Sequence, residues 1–298
     1  MRKMTKKNEL QVYKPQSLQI QDTAWNSLSE NSKKGYKSDF DLFFKFINKS
    51  PKAVTASDVL AFIEHLKAAG YKNSSINRKT ASLSKMFRVL KITGEIKENP
   101  VELLKEFKNI SMKTSREVRN TLTMKEIQKA IKITKKTTNR EIKHILIIRA
   151  LAKTGLRISE LLAIKHKDIE KHDRNNMVVR VVGKGNKERF VFLENSFLKE
   201  IKAEFPLTDK TEYLFYLRNF TPYKRQEVWR FFKDFFQARI GKHVHPHQLR
   251  HTFATYKIFE ERQDIKAVSL YLGHHSTSIT MDAYIDTSLS AKSSKVKI

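Results

Sequence analysis

Apolar side chains recur at helical spacing along most of this chain, and one short stretch alternates instead. From Ser29 the pattern puts Tyr36, Phe40, Phe43, Phe44 and Ile47 on one face, predicting a helix that stops before Pro51. A second helix, from about Ser57 to Ala69, turns Val59, Leu60, Phe62, Ile63 and Leu66 inward and ends at Gly70, with Thr55 or Ser57 as its cap. A third covers Ile76 to Leu90 and carries a basic outer face of Arg78, Lys79, Lys85 and Arg88. A shorter fourth follows Pro100 through Val101, Leu103, Leu104 and Phe107. Four helices on short connections make a compact bundle.

Residues 1–20 are polar with little periodicity and are expected to be loose, which leaves 21–110 for the bundle. Residues 111–121 have no apolar period and read as a linker. Thr123 then looks like an N-cap, with Glu126 three positions on completing a capping box. Ile142, Ile145, Leu146, Ile148 and Leu151 predict a buried helix face ending at Gly155. The alternating stretch comes next: Asn176 to Val182 and Glu188 to Leu193 are β-rich runs around Gly183-Lys184-Gly185-Asn186, a turn composition. A long helix is expected after Pro222, placed in its first turn, with Val228, Phe231, Phe232, Phe235 and Phe236 as core rather than base-stacking groups and an end at Gly241. The fold class is therefore mainly α: a four-helix N-terminal domain, then an α+β domain over 122–286 with a small hairpin.

Composition narrows the partners. The 298 residues hold 59 Lys and Arg against 31 Asp and Glu, a formal charge of 59 − 31 = +28. The excess is spread through folded segments, which favours a surface that grips a polyanion, DNA or RNA alike. There is no cysteine, so disulfides and thiolate metal sites are excluded. No signal region follows the basic start and no run reaches membrane-span length, so a cytoplasmic, nucleoid-associated protein is expected.

Five polar residues carry the chemistry: Arg157 in Thr154-Gly155-Leu156-Arg157-Ile158-Ser159-Glu160-Leu161, His247 and Arg250 in His247-Gln248-Leu249-Arg250-His251-Thr252, His274 in Leu272-Gly273-His274, and Tyr284 ten positions on. Arginines offer planar paired donors to phosphate oxygens, an imidazole can move protons near neutrality, and a phenol can accept a phosphoryl group covalently. The blander readings are a helical Arg157–Glu160 ion pair, a surface ion pair for Arg250, a capping His274 and a packing Tyr284. Pro246 lets His247 and Arg250 project from the start of one helix, where amide donors also face an anion. His243, His245, His251 and His275 crowd these motifs, but no carboxylate ligand is evident among them and no metal site is expected.

The order and the motifs resemble the tyrosine recombinase (phage integrase) family, strongly in the second domain and more weakly in the first. That resemblance implies a SAM-like core-binding domain followed by a catalytic domain. It implies that Tyr284 attacks the scissile phosphorus to give a 3′-phosphotyrosyl link, that Arg157 and Arg250 hold the non-bridging oxygens, and that His247 and His274 assist at the phosphate. Lys184, at the hairpin tip, would protonate the 5′-oxygen, with Lys187 as the nearby competitor; Glu160 would support the site. His245 and Asp286 depart from residues common in relatives, yet neither removes a catalytic group. No cofactor is implied. The partners implied are double-stranded DNA with inverted binding sites and, on it, a homotetramer passing through a Holliday junction; a membrane is not among them.

The missing arm-binding domain suggests a simple Xer-type or transposon resolvase-like member. The 287–298 tail carries Leu289, Ala291, Val296 and Ile298, which a neighbouring subunit could bury. Two alternatives remain open from sequence: a type IB topoisomerase or telomere resolvase, which shares the five-residue chemistry, and a non-catalytic DNA-binding regulator of the same fold.

Overall fold

The computed structural model describes residues 30–107, 110–111, 122–135, 137–183 and 187–273. The chain divides into two compact units, Met1–Arg116 and Glu117–Ile298.

In the first unit, helices α1 (Glu30–Ile47), α2 (Ala56–Ala68), α3 (Asn73–Ile92) and α4 (Pro100–Phe107) enclose one core. Phe43 stands edge-on to Phe62 and Phe87, ring centroids 5.1 and 6.0 Å away, so the aromatic positions of three helices meet at its centre. Thr55, not Ser57, caps α2: its Oγ1 accepts from the Asp58 N–H at 3.3 Å, and Asp58 accepts from the Thr55 N–H at 2.9 Å. Gly70, at φ 76°, follows α2 in the left-handed region. One expectation is corrected here. Lys79 is not on the outer face of α3; it is 8% exposed, because its ammonium turns in to the buried carboxylate of Asp39, 2.9 Å away. Phe107 is 85% exposed, since the short α4 already fills its inward face with Val101 and Leu104.

The second unit starts with α5 (Met124–Ala130), capped by Thr123 and Glu126, and α6 (Asn139–Thr154), capped by Thr138 and Glu141. After α7 (Ile158–Leu162) comes an antiparallel sheet, β1 (Ile169–Lys171), β2 (Asn176–Val182) and β3 (Glu188–Glu194), in that order. Strand β1 was not predicted: three residues are too few to show alternation. Helices α8 (Asn195–Glu204), α9 (Arg225–Ile240), α10 (Pro246–Phe259) and α11 (Ile265–Leu272) complete the described unit. Pro222 is not in the first turn of α9. It bridges to Tyr216 in extended backbone, held there by a tight turn in which the Leu217 N–H donates to Thr221 O at 2.8 Å. The helix starts three residues later, with the Lys224 N–H donating to Glu227. Val228, Phe232, Phe235 and Phe236 are buried as expected, and Phe231 stacks on His144 at 3.8 Å. Among the described residues no helix is long and apolar enough to cross a membrane.

Candidate active site

The site grows from the end of α6. Gly155 closes that helix at φ 63°, and a Cβ there would stand 2.5 Å from Phe253 and 2.8 Å from Leu272. Only glycine allows both the backbone angle and the close approach of α10 and α11. Two residues on, Arg157 caps α7. Its N–H donates to Glu160 Oε2 at 2.8 Å and its Nη1 to Glu160 Oε1 at 2.8 Å. The ion pair expected from the spacing is thus formed, but across a helix cap rather than along a helical face.

A second guanidinium shares that carboxylate. Arg189 donates from Nη1 to Glu160 Oε1 at 3.1 Å and from Nη2 to Oε2 at 2.7 Å. Burial alone would push the Glu160 carboxyl up, but the Arg189 fork and the Arg157 backbone N–H draw it below the ordinary carboxylate range. Sequence reasoning did not nominate Arg189. A signal existed: it shares a face of β3 with buried Val191 and Leu193, so an arginine stands where strand alternation calls for an inward side chain.

Arg250 completes the cluster from α10. It is 4% exposed, and donates from Nη1 to Gly155 O at 2.9 Å and from Nη2 to Leu272 O at 2.6 Å. The surface ion pair considered from sequence is therefore overturned: among the described residues no carboxylate pairs with it. Arg189 Nε donates to Tyr271 O at 3.0 Å, and Arg157 Nη2 to Gly273 O at 3.3 Å. Three consecutive carbonyls at the end of α11 each receive one arginine. Such carbonyls lack donors within the helix and carry the negative end of its dipole, which suits them to hold cations. Three guanidiniums and one carboxylate still leave a local charge of +2. Burial, and next the charge of Arg157, push the Arg250 guanidinium down to about 9.

His247 is exposed on the first turn of α10, its ring 6.3 Å from that of His251. His245 stacks on Trp229 at 4.6 Å and precedes the helix as its N-cap. Lys184, His274 and Tyr284 lie outside the described residues, as does the 287–298 tail. Of the first-unit basic residues, Arg78 forks onto Asp39 at 2.6 and 2.8 Å, Arg88 pairs with Glu102 at 2.6 Å, and the Lys85 ammonium sits 5.4 Å from the Tyr36 ring centre.

Comparison with known proteins places this mainly helical fold with its small sheet in one family. The phage integrase family model matches residues 120–290, and the model of its N-terminal SAM-like domain matches residues 24–94. Tyrosine recombinase XerA of Thermococcus kodakarensis is 34% identical over 231 residues, covering 76% of each chain. Tyrosine recombinase XerC of Roseiflexus castenholzii is 28% identical over 268 residues, 85% of this chain and 82% of that one. The crystal structure of a lambda integrase(75–356) dimer bound to a COC′ core site shares the fold, with a TM-score of 0.70 at 19% identity over 88% of this chain and 90% of that one. The chain belongs to the phage integrase family. It is a tyrosine site-specific recombinase, an enzyme that breaks and rejoins DNA strands.

Proposed function

We propose that this recombinase cleaves double-stranded DNA by attack of the Tyr284 phenol, which gives its proton to a neighbouring base, on the scissile phosphorus. The P–O5′ bond breaks, the 5′-oxygen takes a proton from Lys184, and the products are a 3′-phosphotyrosyl link and a free 5′-hydroxyl. Rejoining reverses these steps with a different 5′-hydroxyl, so the phosphodiester's energy is retained in the link. Arg157 and Arg250 hold the non-bridging oxygens, where charge accumulates in the transition state and fixed donors are worth most. His247 and His274 serve as proton-transfer or hydrogen-bonding groups at the same phosphate.

One observation carries this reading: Arg250 is a buried cation with no carboxylate partner among the described residues. A buried charge of that kind is costly unless an anion joins it. A phosphodiester supplies that anion, and the preformed arginines then need no reorganisation as the reaction proceeds.

Residues 122–286 form the catalytic domain in this proposal, and residues 21–110 the core-binding domain that grips the DNA backbone. Arg78, Lys85 and Arg88 keep exposed side chains there as phosphate contacts; Lys79, spent on Asp39, is dropped. The enzyme works in the cytoplasm on inverted sites, as a tetramer that passes through a Holliday junction. The 287–298 tail docks on a neighbouring subunit.

The test uses a nicked duplex carrying a site selected from randomised duplexes by binding to this protein. The parent traps itself covalently on that duplex in excess EDTA, while Tyr284→Phe binds it with near-parent affinity and traps nothing. An adduct persisting in Tyr284→Phe, or a strict need for magnesium, overturns the assignment.

A further inference from the structure

We infer that Arg189 is a positioning residue for strand cleavage, holding the phosphate-facing arginines, the hairpin root and the end of α11 in one frame. This rests on the assignment of Arg157 and Arg250 to the scissile phosphate.

Glu160 accepts four hydrogen bonds, two from Arg157 and two from Arg189. An ionised carboxylate has about four acceptor positions, so none is left over. With Arg189 absent, the buried carboxylate would be free to draw the whole Arg157 guanidinium onto itself, away from a phosphate. With Arg189 in place, half of the carboxylate's capacity is already taken, and Arg157 keeps an Nη that, among the described residues, reaches only the Gly273 carbonyl at 3.3 Å.

The same guanidinium touches two further parts of the site. Its Nε holds Tyr271 O at 3.0 Å, and a Cβ on Gly273 would stand 3.4 Å from its Nη1, so the last turn of α11 is shaped around it. A Cβ on Gly183 would lie 3.3 Å from that Nη1, and the Gly183 N–H donates to Lys187 O at 2.8 Å, closing the root of the β2–β3 hairpin. The residue after Gly183 is Lys184, and the residue after Gly273 is His274. One arginine therefore abuts the backbone that leads to two of the proposed catalytic groups, and braces a third, Arg157, through Glu160.

The experiment measures single-turnover adduct formation and affinity on the selected nicked duplex. Arg189→Gln should slow cleavage about 100-fold, the order expected for a misplacement of about 1 Å, while affinity stays within about 3-fold. Arg189→Lys restores the charge, but one ammonium cannot span both Glu160 oxygens and the Tyr271 carbonyl; it should recover less than about 10-fold. Glu160→Gln/Arg189→Gln leaves no unpaired carboxylate, and should cleave no more slowly than Arg189→Gln, because the two side chains act as one unit. That double variant carries the test against the parent if Arg189→Gln fails to fold. Cleavage by Arg189→Gln within about 3-fold of the parent, full recovery by Arg189→Lys, or additive loss in the double variant each overturns the inference. A parent that forms no adduct overturns the phosphate assignment and this inference with it.

Discussion

Among the described residues, each unit of this protein buries one carboxylate beneath a set of cations, and the two hubs are built to different ends. In the first, Asp39 is 1% exposed and accepts from Arg78 at 2.6 and 2.8 Å, Lys79 at 2.9 Å and Ser82 at 2.8 Å, joining α1 to α3 side by side. Every cation of that hub touches its carboxylate. In the second, Glu160 also takes four hydrogen bonds, but a third cation, Arg250, donates, among the described residues, only to carbonyls. The difference follows from where the hubs sit. The flank of a helix has no unpaired backbone groups, so a buried charge there must be met by another side chain. The ends of α6 and α11 present free carbonyls, which can hold a cation in the absence of an acid and leave it available to an incoming anion. A hub on helix flanks stabilises the fold, whereas a hub on helix ends can keep a surplus charge for chemistry.

The comparison breaks most readily at Asp39. Asp39→Ala strands the buried Lys79 ammonium and should cost about 3–5 kcal/mol, read by chemical denaturation. Adduct yield per DNA-bound molecule should stay near the parent's; a large loss there would tie the first hub to the chemistry as well. Arg250→Gln should do the reverse, slowing adduct formation about 10²–10³-fold, or about 3–4 kcal/mol, with a small change in thermal midpoint. Inorganic phosphate should raise the parent's midpoint and leave that of the variant unmoved. An equal phosphate effect in both would mean that the surplus charge is not at Arg250.

His144 separates fold from site within the second unit. Burial, and next the charge of Arg140, push its imidazole down from 6.5 to about 4. A depressed imidazole contributes stability that is present above pH 6.5 and lost as pH falls through about 4, because the unfolded chain takes up the proton first. Denaturant unfolding should show a loss of roughly 2–3 kcal/mol over that window, and His144→Phe should remove it. An unchanged pH slope in that variant would place the titration elsewhere. The smallest effects should be alike in both units: Thr55→Ala and Thr123→Ala remove matching caps and should each cost about 1 kcal/mol. A large disparity between the two would mean that the units differ in more than their hubs.

Much of this was legible in the chain. Helical spacing located Phe43 and Phe62 in one core and Phe232 and Phe236 in another, and the glycine at 155 marked the end of α6, because period and left-handed turns are local properties. The capping box of Thr123 and Glu126 likewise joins residues three apart, whereas the same spacing at Arg157 and Glu160 reads as an ion pair along a helix and forms a cap instead. Pro222 misled because proline fits extended backbone as well as a helix's first turn, and the choice was made by a turn at 217–221 that no periodic signal announces.

The site divides along the same line. Arg157, Arg250 and Glu160 could be nominated from short motifs, since each motif preserves a local geometry that the chain writes in consecutive residues. The sequence alone also determined the charge surplus, which favours an anionic partner. Only the tertiary structure decided that Lys79 turns inward to Asp39, 40 residues earlier, and that Arg189 reaches Glu160 and Tyr271 across 29 and 82 residues. A basic side chain has the same composition whether it faces water or a buried carboxylate. Its partner is chosen by which helix ends and strand faces the folded core brings within about 3 Å, and that distance is set by packing rather than by any neighbour in the chain.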